Sequence, residues 1–310
     1  MAQKEKKGPM TALWLGLGFL VFAAIILFIA YRMIFPSDNG RWDPLGGAKI
    51  KTQEIWSADG LSVSVTGTGR YTSGSQERDA LYLKVKNDGS SAKILRCTAL
   101  SANGGAAVQP ELKIEAAPGA STDGVLLFDR SGLYDMQIIY VGEIELELAA
   151  YDASSMAETA RSGKITIKTN KAKKADTPKF LYKPNEFDNA DGISLATADL
   201  SVAYTDTSSA LRFYVENTSG RDIRIVPGDV KFNGKAYEVA RKNVDGSVYD
   251  TRGVGEGYTF QNGSKGSFYY ELEWEPLEDV LPLDMMTGVC RIYDNVSGQL
   301  LKEAEFTFKP

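Results

Sequence analysis

From Ala80 to Ser90 the chain reads ALYLKVKNDGS, and from Ala210 to Gly220 it reads ALRFYVENTSG. Alternation at period two places Leu81, Leu83 and Val85 on one face and Tyr82, Lys84 and Lys86 on the other, the pattern of a strand buried on one side. The second stretch repeats this, with Leu211, Phe213 and Val215 inward and Arg212, Tyr214 and Glu216 outward. Each ends at an asparagine followed by residues that accept a positive φ, which signals a hairpin. Strands of this kind bury their apolar face only when a second layer covers it.

The likeness runs ungapped from Asp79 to Gly104 against Ser209 to Gly234, with six identities and Asn-Gly closing both windows. LSVSVTGT from Leu61 answers LSVAYTDT from Leu200, Tyr151-Asp152 answers Tyr293-Asp294, and ITIK from Ile165 answers FTFK from Phe306. Order is kept while the offset drifts from about 130 to 142, so the sequence reads as internal duplication of a unit of roughly 120 residues. Each copy is expected to hold seven or so short strands with turns every 8–12 residues, a β-sandwich. Strands are expected to start near Gln53, Leu61, Ala80, Ala92, Glu111, Gly124, Glu143 and Lys164 in the first copy. In the second they are expected near Phe180, Leu200, Ala210, Asp222, Val230, Tyr237, Ser267, Gly288 and Glu303. RSGLYDMQ, from Arg130, is expected to form a helical turn between sheets.

Met10 to Tyr31 carries no charged side chain. As a helix those 22 residues span about 33 Å, enough for a hydrocarbon core of roughly 30 Å. Lys4, Lys6 and Lys7 precede the run and only Arg32 follows closely, so the positive-inside rule puts the N-terminus in the cytoplasm and the rest outside. A cleaved signal peptide is the alternative, but its apolar region is usually about 7–15 residues long. The expected organisation is a cytoplasmic tail (1–9), a transmembrane signal anchor (10–35), a spacer (36–50), a first sandwich (51–170), a lysine-rich linker (171–184) and a second sandwich (185–310). The protein is thus expected at the cell membrane, single-pass, with its C-terminal domains extracellular. Residues 1–35 carry net +3 and the remainder net −8; an acidic exported portion argues against nucleic acid as a partner.

The chain contains no histidine, which removes Ser-His-Asp and Cys-His catalysis and imidazole-ligated zinc. Cys97 and Cys290 are the only cysteines; they read either as two buried thiols or as a bridge between the domains. No catalytic residue and no cofactor is expected. In EFDNADGISLATAD, from Glu186, an EF-hand would need an oxygen ligand where Phe187 stands, so that template fails. A looser calcium site at Asp188, Asp191 and Asp199 competes with a plain polar turn.

The segment from Arg241 to Gly266 is longer than its counterpart, and Tyr249, Tyr258 and Phe260 there are candidate contacts for a partner; the competing reading is a loosely packed excursion. Lys171, Lys173, Lys174 and Lys179 read either as a basic strap for an anionic cell-wall polymer or lipid headgroup, or as a solvated linker. Glu143, Glu145 and Glu147 alternate along a strand and are expected to line its solvent face.

The hairpin L-x-L-x-V-x-N with a polar turn, on an exported sandwich, resembles the immunoglobulin-like domains of unknown function on membrane-anchored proteins and lipoproteins of Gram-positive bacteria. The resemblance covers both copies, about three quarters of the chain. It lacks a lipobox cysteine and the Cys…Trp…Cys set of antibody domains. It implies two tandem immunoglobulin-like antiparallel β-sandwiches and a non-enzymatic surface binding or scaffolding role towards a protein or cell-wall polymer. It supplies no catalytic residues to carry over. Two alternatives stand beside it: an envelope carbohydrate-processing enzyme with two acids about 5–10 Å apart, and a calcium-dependent adhesion module.

Overall fold

A computed structural model describes residues 43–73, 76–128, 130–197, 201–205, 208–236, 257–273 and 284–309. The segment expected to span the membrane, Met10 to Tyr31, lies outside the described residues. No helix among the described residues is long and apolar enough to cross a membrane. The described residues are all-β, with 61% strand and 4% helix.

The first unit contains β1 (Gln53–Ala58), β2 (Leu61–Ser73), β3 (Gln76–Asn87), β4 (Lys93–Ala102), β5 (Ala106–Ala107), β6 (Pro110–Glu111), β7 (Lys113–Ala116), β8 (Ser121–Phe128), α1 (Arg130–Asp135), β9 (Glu143–Asp152) and β10 (Glu158–Lys168). One sheet has the order β1-β2-β3-β8-β6; the other runs β10-β9-β4, with β7 also paired to β4. The inward residues are those the alternation selects: Val63, Val65, Leu81, Leu83, Val85 and Leu126 meet Leu95, Leu146, Leu148 and Ile167 in one core. Burying each such side chain contributes about 1.5–3 kcal/mol. Arg130, opening α1, holds the buried Asp79 carboxylate through Nε (2.9 Å) and Nη2 (2.8 Å).

The second unit contains β11 (Asn185–Ala190), β12 (Ile193–Thr197), β13 (Ser201–Thr205), β14 (Ser208–Asn217), β15 (Ile223–Phe232), β16 (Lys235–Ala236), β17 (Tyr258–Phe260), β18 (Lys265–Glu273), β19 (Met286–Asp294) and β20 (Leu300–Phe308). Here β11-β12-β14-β18 faces β16-β15-β19-β20, with β13 paired to β14 and β17 to β15. Its core is aromatic: Phe213 stacks on Phe268 (4.9 Å, 12°) and meets Phe306 edge-on (4.9 Å, 77°).

The same hydrogen bonds recur in both units. Asn87 Nδ2 donates to Ser91 O and Ala116 O, while Asn217 Nδ2 donates to Arg221 O and Phe260 O, all at 2.9 Å. Asn103 Oδ1 accepts from Gly142 N and Glu143 N, as Asn233 Oδ1 accepts from Asp284 N and Met285 N. Asp152 Oδ1 caps the amides of Ser154 and Ser155; Asp294 Oδ1 caps those of Val296 and Ser297.

Three expectations are corrected. Leu61 pairs with Asn87 and Ile193 with Asn217, so the counterpart of LSVSV is ISLAT; residues 201–205 answer the distal half of β2, because Ser201 pairs with Ala210 as Gly69 pairs with Ala80. The sequence match was displaced by an odd number of residues, which would have exchanged the two faces. The acidic stretch from Glu186 is a strand and a hairpin turn, and 180–182 is not a strand.

Gly192 explains the tight approach of that hairpin turn. Its φ is +76°, and a Cβ there would lie 2.9 Å from Ser219 Cα and Thr218 O; Gly60, φ +78°, stands likewise against Gly89. Gly192→Ala is therefore expected to lose more than about 1 kcal/mol. A urea midpoint equal to wild type would contradict this.

The units are not independent. One ten-stranded sheet runs β10-β9-β4-β5-β18-β14-β12-β11. At its centre β5 and β18 are parallel, with Ala106 opposite Lys265 and Lys265 N donating to Gly105 O at 2.7 Å. Gly266 permits the approach, since a Cβ there would come within 2.9 Å of the Ala107 Cβ.

Candidate functional site

The candidate residues separate on being placed in the fold. Asp188 lies on β11, where Lys302 Nζ bonds its carboxylate and also donates to Ala190 O (3.0 Å). Asp191 occupies the hairpin turn with φ 57°, and Asp199 lies outside the described residues. No group of three acids or thiols among the described residues is arranged to hold a metal. Asp188 thus already has an ammonium partner.

Phe260 is fully buried and Tyr258 stacks on Phe268 at 4.4 Å. They are core residues on β17, whose backbone pairs with β15. Alternation over three residues between two glycine-rich stretches was too short to reveal a strand. Tyr249 lies outside the described residues.

The lysine-rich join is fastened to the first unit rather than solvated along its length. Asn170 N donates to Lys49 O (3.0 Å) and Lys49 N donates to Asn170 Oδ1 (2.8 Å). Asp176 Oδ2 accepts from Ile139 N (2.8 Å) and Tyr140 N (2.7 Å). Lys179 N donates to Met136 O (3.1 Å) and Leu181 N to Asp135 O (2.8 Å). Between these bonds a 3₁₀ turn, Ala172–Lys174, carries its lysines outward. Lys171 Nζ and Lys174 Nζ lie 5.3 and 5.9 Å from the Tyr140 ring centroid, a distance at which an ammonium is attracted to an aromatic face. Among the described residues Lys171, Lys173 and Lys174 form no ion pair.

The strap ends at the joint between units. There the buried Asp135 at the end of α1 pairs with Arg212 Nε (3.3 Å) and accepts from Ser267 Oγ (2.6 Å). The Arg212 guanidinium lies over Tyr182 (5.1 Å), and Phe180 packs on Tyr214 (4.5 Å). Arg212 and Tyr214 point away from their own core, as the alternation requires, yet are 8% and 1% exposed because the first unit covers them. The Ser101 hydroxyl donates either across the joint to Gln261 Oε1 (3.0 Å) or within the first unit to Glu145 Oε2 (3.1 Å).

Glu145 is therefore not a solvent-facing acid as expected: it is 8% exposed and paired with Lys164 (2.8 Å). Its neighbour Glu147 pairs with Arg161, which also holds Glu158. Carboxylates neutralised in this way hold a sheet face together and offer no free acid and base.

Cys97 and Cys290 are free and buried in separate cores. Burial pushes the Cys97 thiol up to about 12 and raises that of Cys290 as well, so neither is a nucleophile at neutral pH.

Asp152 and Asp294 are turn acids whose pKa is lowered in the fold. Hydroxyl and amide donors of Ser154 and Ser155 hold Asp152 well below the carboxylate range, and the Ser297 amide and hydroxyl lower Asp294. A depressed folded value means that their stabilisation is complete above the ordinary carboxylate pKa of about 4 and is lost as pH falls through the folded value. The stability gap between wild type and Asp152→Asn is expected to narrow steadily on acidification from about pH 5 to pH 2. A gap constant over that interval in urea titrations would count against these assignments.

No family model and no curated protein matches the chain. Among solved structures, one similar chain is a protein of unknown function from Porphyromonas gingivalis W83. It is 10% identical, with a TM-score of 0.20 over 81% of this chain and 100% of that one.

Proposed function

We propose that the protein is a non-enzymatic cell-surface binding or scaffolding protein, anchored by Met10 to Tyr31, whose two immunoglobulin-like units face a protein or cell-wall polymer outside the cell. The observation that carries this reading is the shared ten-stranded sheet, closed by the Asp135, Arg212 and Ser267 contacts. A continuous sheet makes two units one stiff body, which suits presentation at a distance from a membrane. Descent of the units from one ancestor is supported by the paired hydrogen bonds of Asn87 with Asn217 and Asp152 with Asp294. The immunoglobulin-like assignment is supported by strand order: β2-β3-β8 against β10-β9-β4-β7 parallels A-B-E against G-F-C-C′.

The test uses the full chain in its producing cell. Val296, 74% exposed, is replaced by cysteine and intact cells are treated with a membrane-impermeant maleimide. Labelling before lysis is expected; labelling only after lysis would refute export. Isolated envelope polysaccharide incubated with the protein is expected to yield no new reducing ends, and their release would refute a non-enzymatic role.

A further inference from the structure

We infer that the lysine face in which Lys171 and Lys174 lie over Tyr140, with Lys49, Lys168 and Lys173 exposed at the same clip and turn, docks on anionic lipid headgroups of the membrane that anchors the chain. The inference rests on the anchoring proposed above and adds a second attachment to it. Three observations carry it.

The first is charge. Residues 168–184 contain six lysines and one acid. That acid, Asp176, accepts two backbone amides of the first unit. Lys49, Lys168, Lys173 and Lys174 are exposed and Lys171 half-exposed, so the face stands positive on an exported portion that is otherwise acidic.

The second is position. The reciprocal Lys49 and Asn170 bonds place the turn beside the segment by which the chain enters the first unit. Gly47 lies about 4.0 Å from Lys171 Nζ when a Cβ is built on it. Fifteen residues lie between Tyr31 and Gly47, and a chain of that length spans at most about 55 Å even when fully extended. The face thereby stays within a short chain length of the headgroups, so weak contacts suffice. A diffusing wall polymer has no such advantage.

The third is chemistry. Tyr140 lies beneath two ammonium groups. An aromatic ring with lysines around it is the side-chain combination that favours the headgroup layer.

The experiment uses full-length protein with Ala172→Cys carrying a nitroxide; the two native thiols are buried and do not compete. It is reconstituted into vesicles of phosphatidylcholine alone or of equimolar phosphatidylcholine and phosphatidylglycerol. Exposure of the label to membrane-dissolved oxygen is compared with exposure to an aqueous nickel chelate, with Val296→Cys as reference. The label at 172 is expected to move towards the bilayer only in the mixed vesicles and to return to water in high salt. In Lys171→Gln/Lys173→Gln/Lys174→Gln the contact equilibrium is expected to fall roughly a hundredfold, about fivefold per charge.

Identical label environments in the two vesicle types, with the chain still retained after alkaline carbonate extraction, would overturn the inference and leave the anchoring intact. Loss of the chain on extraction would refute the anchoring, and the inference with it. Protection of the label by soluble poly(glycerol phosphate), with no response to phosphatidylglycerol, would assign the face to a polymer and overturn the inference.

Discussion

Asp135→Ala is expected to cost about 3–5 kcal/mol, because it leaves the Arg212 charge buried after its carboxylate is gone. Asp135 is fully buried and Arg212 is 8% exposed, and Ser267 loses its acceptor in the same step. The loss is expected to fall on the joint, so that one calorimetric transition of the full chain becomes two. The double variant Asp135→Leu/Arg212→Met is expected to recover most of the stability, since it removes both charges together. A single transition in Asp135→Ala, less than about 1 kcal/mol weaker than wild type, would show that the units are held by the sheet alone.

Asn87→Ala and Asn217→Ala are each expected to lose about 3 kcal/mol. The two side chains are fully buried. Each donates to two carbonyls and accepts one amide, from Gly89 or Ser219. Truncation strips a buried carbonyl, that of Ala116 or Phe260, of a donor, at about 1–3 kcal/mol for that group alone, and about 1 kcal/mol for each other bond lost. Urea midpoints measure it, and the loss at Asn217 is expected to be at least as large as at Asn87, because Asn217 Oδ1 also accepts from the Ser219 hydroxyl (2.7 Å). A negligible loss at either would mean that water replaces the amide. At Asn217 the engaged Nδ2 also takes the residue out of use as a glycosylation acceptor, although Asn217-Thr218-Ser219 matches the sequon.

The strand pattern was legible because strands such as β2 and β3 bury one face and leave the other open, whereas β4 and β9 are largely covered on both. Leu81, Leu83 and Val85 were assigned inward from period two alone, and they are buried. The same logic is blind to a covered outer face. Arg212 and Tyr214 alternate as surface residues do, and nothing local indicates that another part of the chain lies over them. Their partners Asp135, Phe180 and Tyr182 are 30 or more positions away, and contacts at such separation leave no periodic trace. Register was equally hidden, since LSVAYTDT resembles LSVSVTGT more closely than its true counterpart ISLAT does. What reveals the counterpart is Asp191-Gly192, which repeats the Asp59-Gly60 turn seven residues earlier than the match. The lysine run showed its charge in sequence but not its anchorage, because the bonds that fasten it are made by backbone groups of Lys49 and of residues 135–142.

The reciprocal bonds of Lys49 and Asn170 also decide how tension would travel. The chain enters the first unit and leaves it at neighbouring points, so a pull between the N-terminal side of Lys49 and the second unit meets this clip and the strap bonds early. Load then divides between the strap along the side of the first unit and the β5-β18 joint, and the clip is a pair of hydrogen bonds that can open and re-form without unpairing a strand.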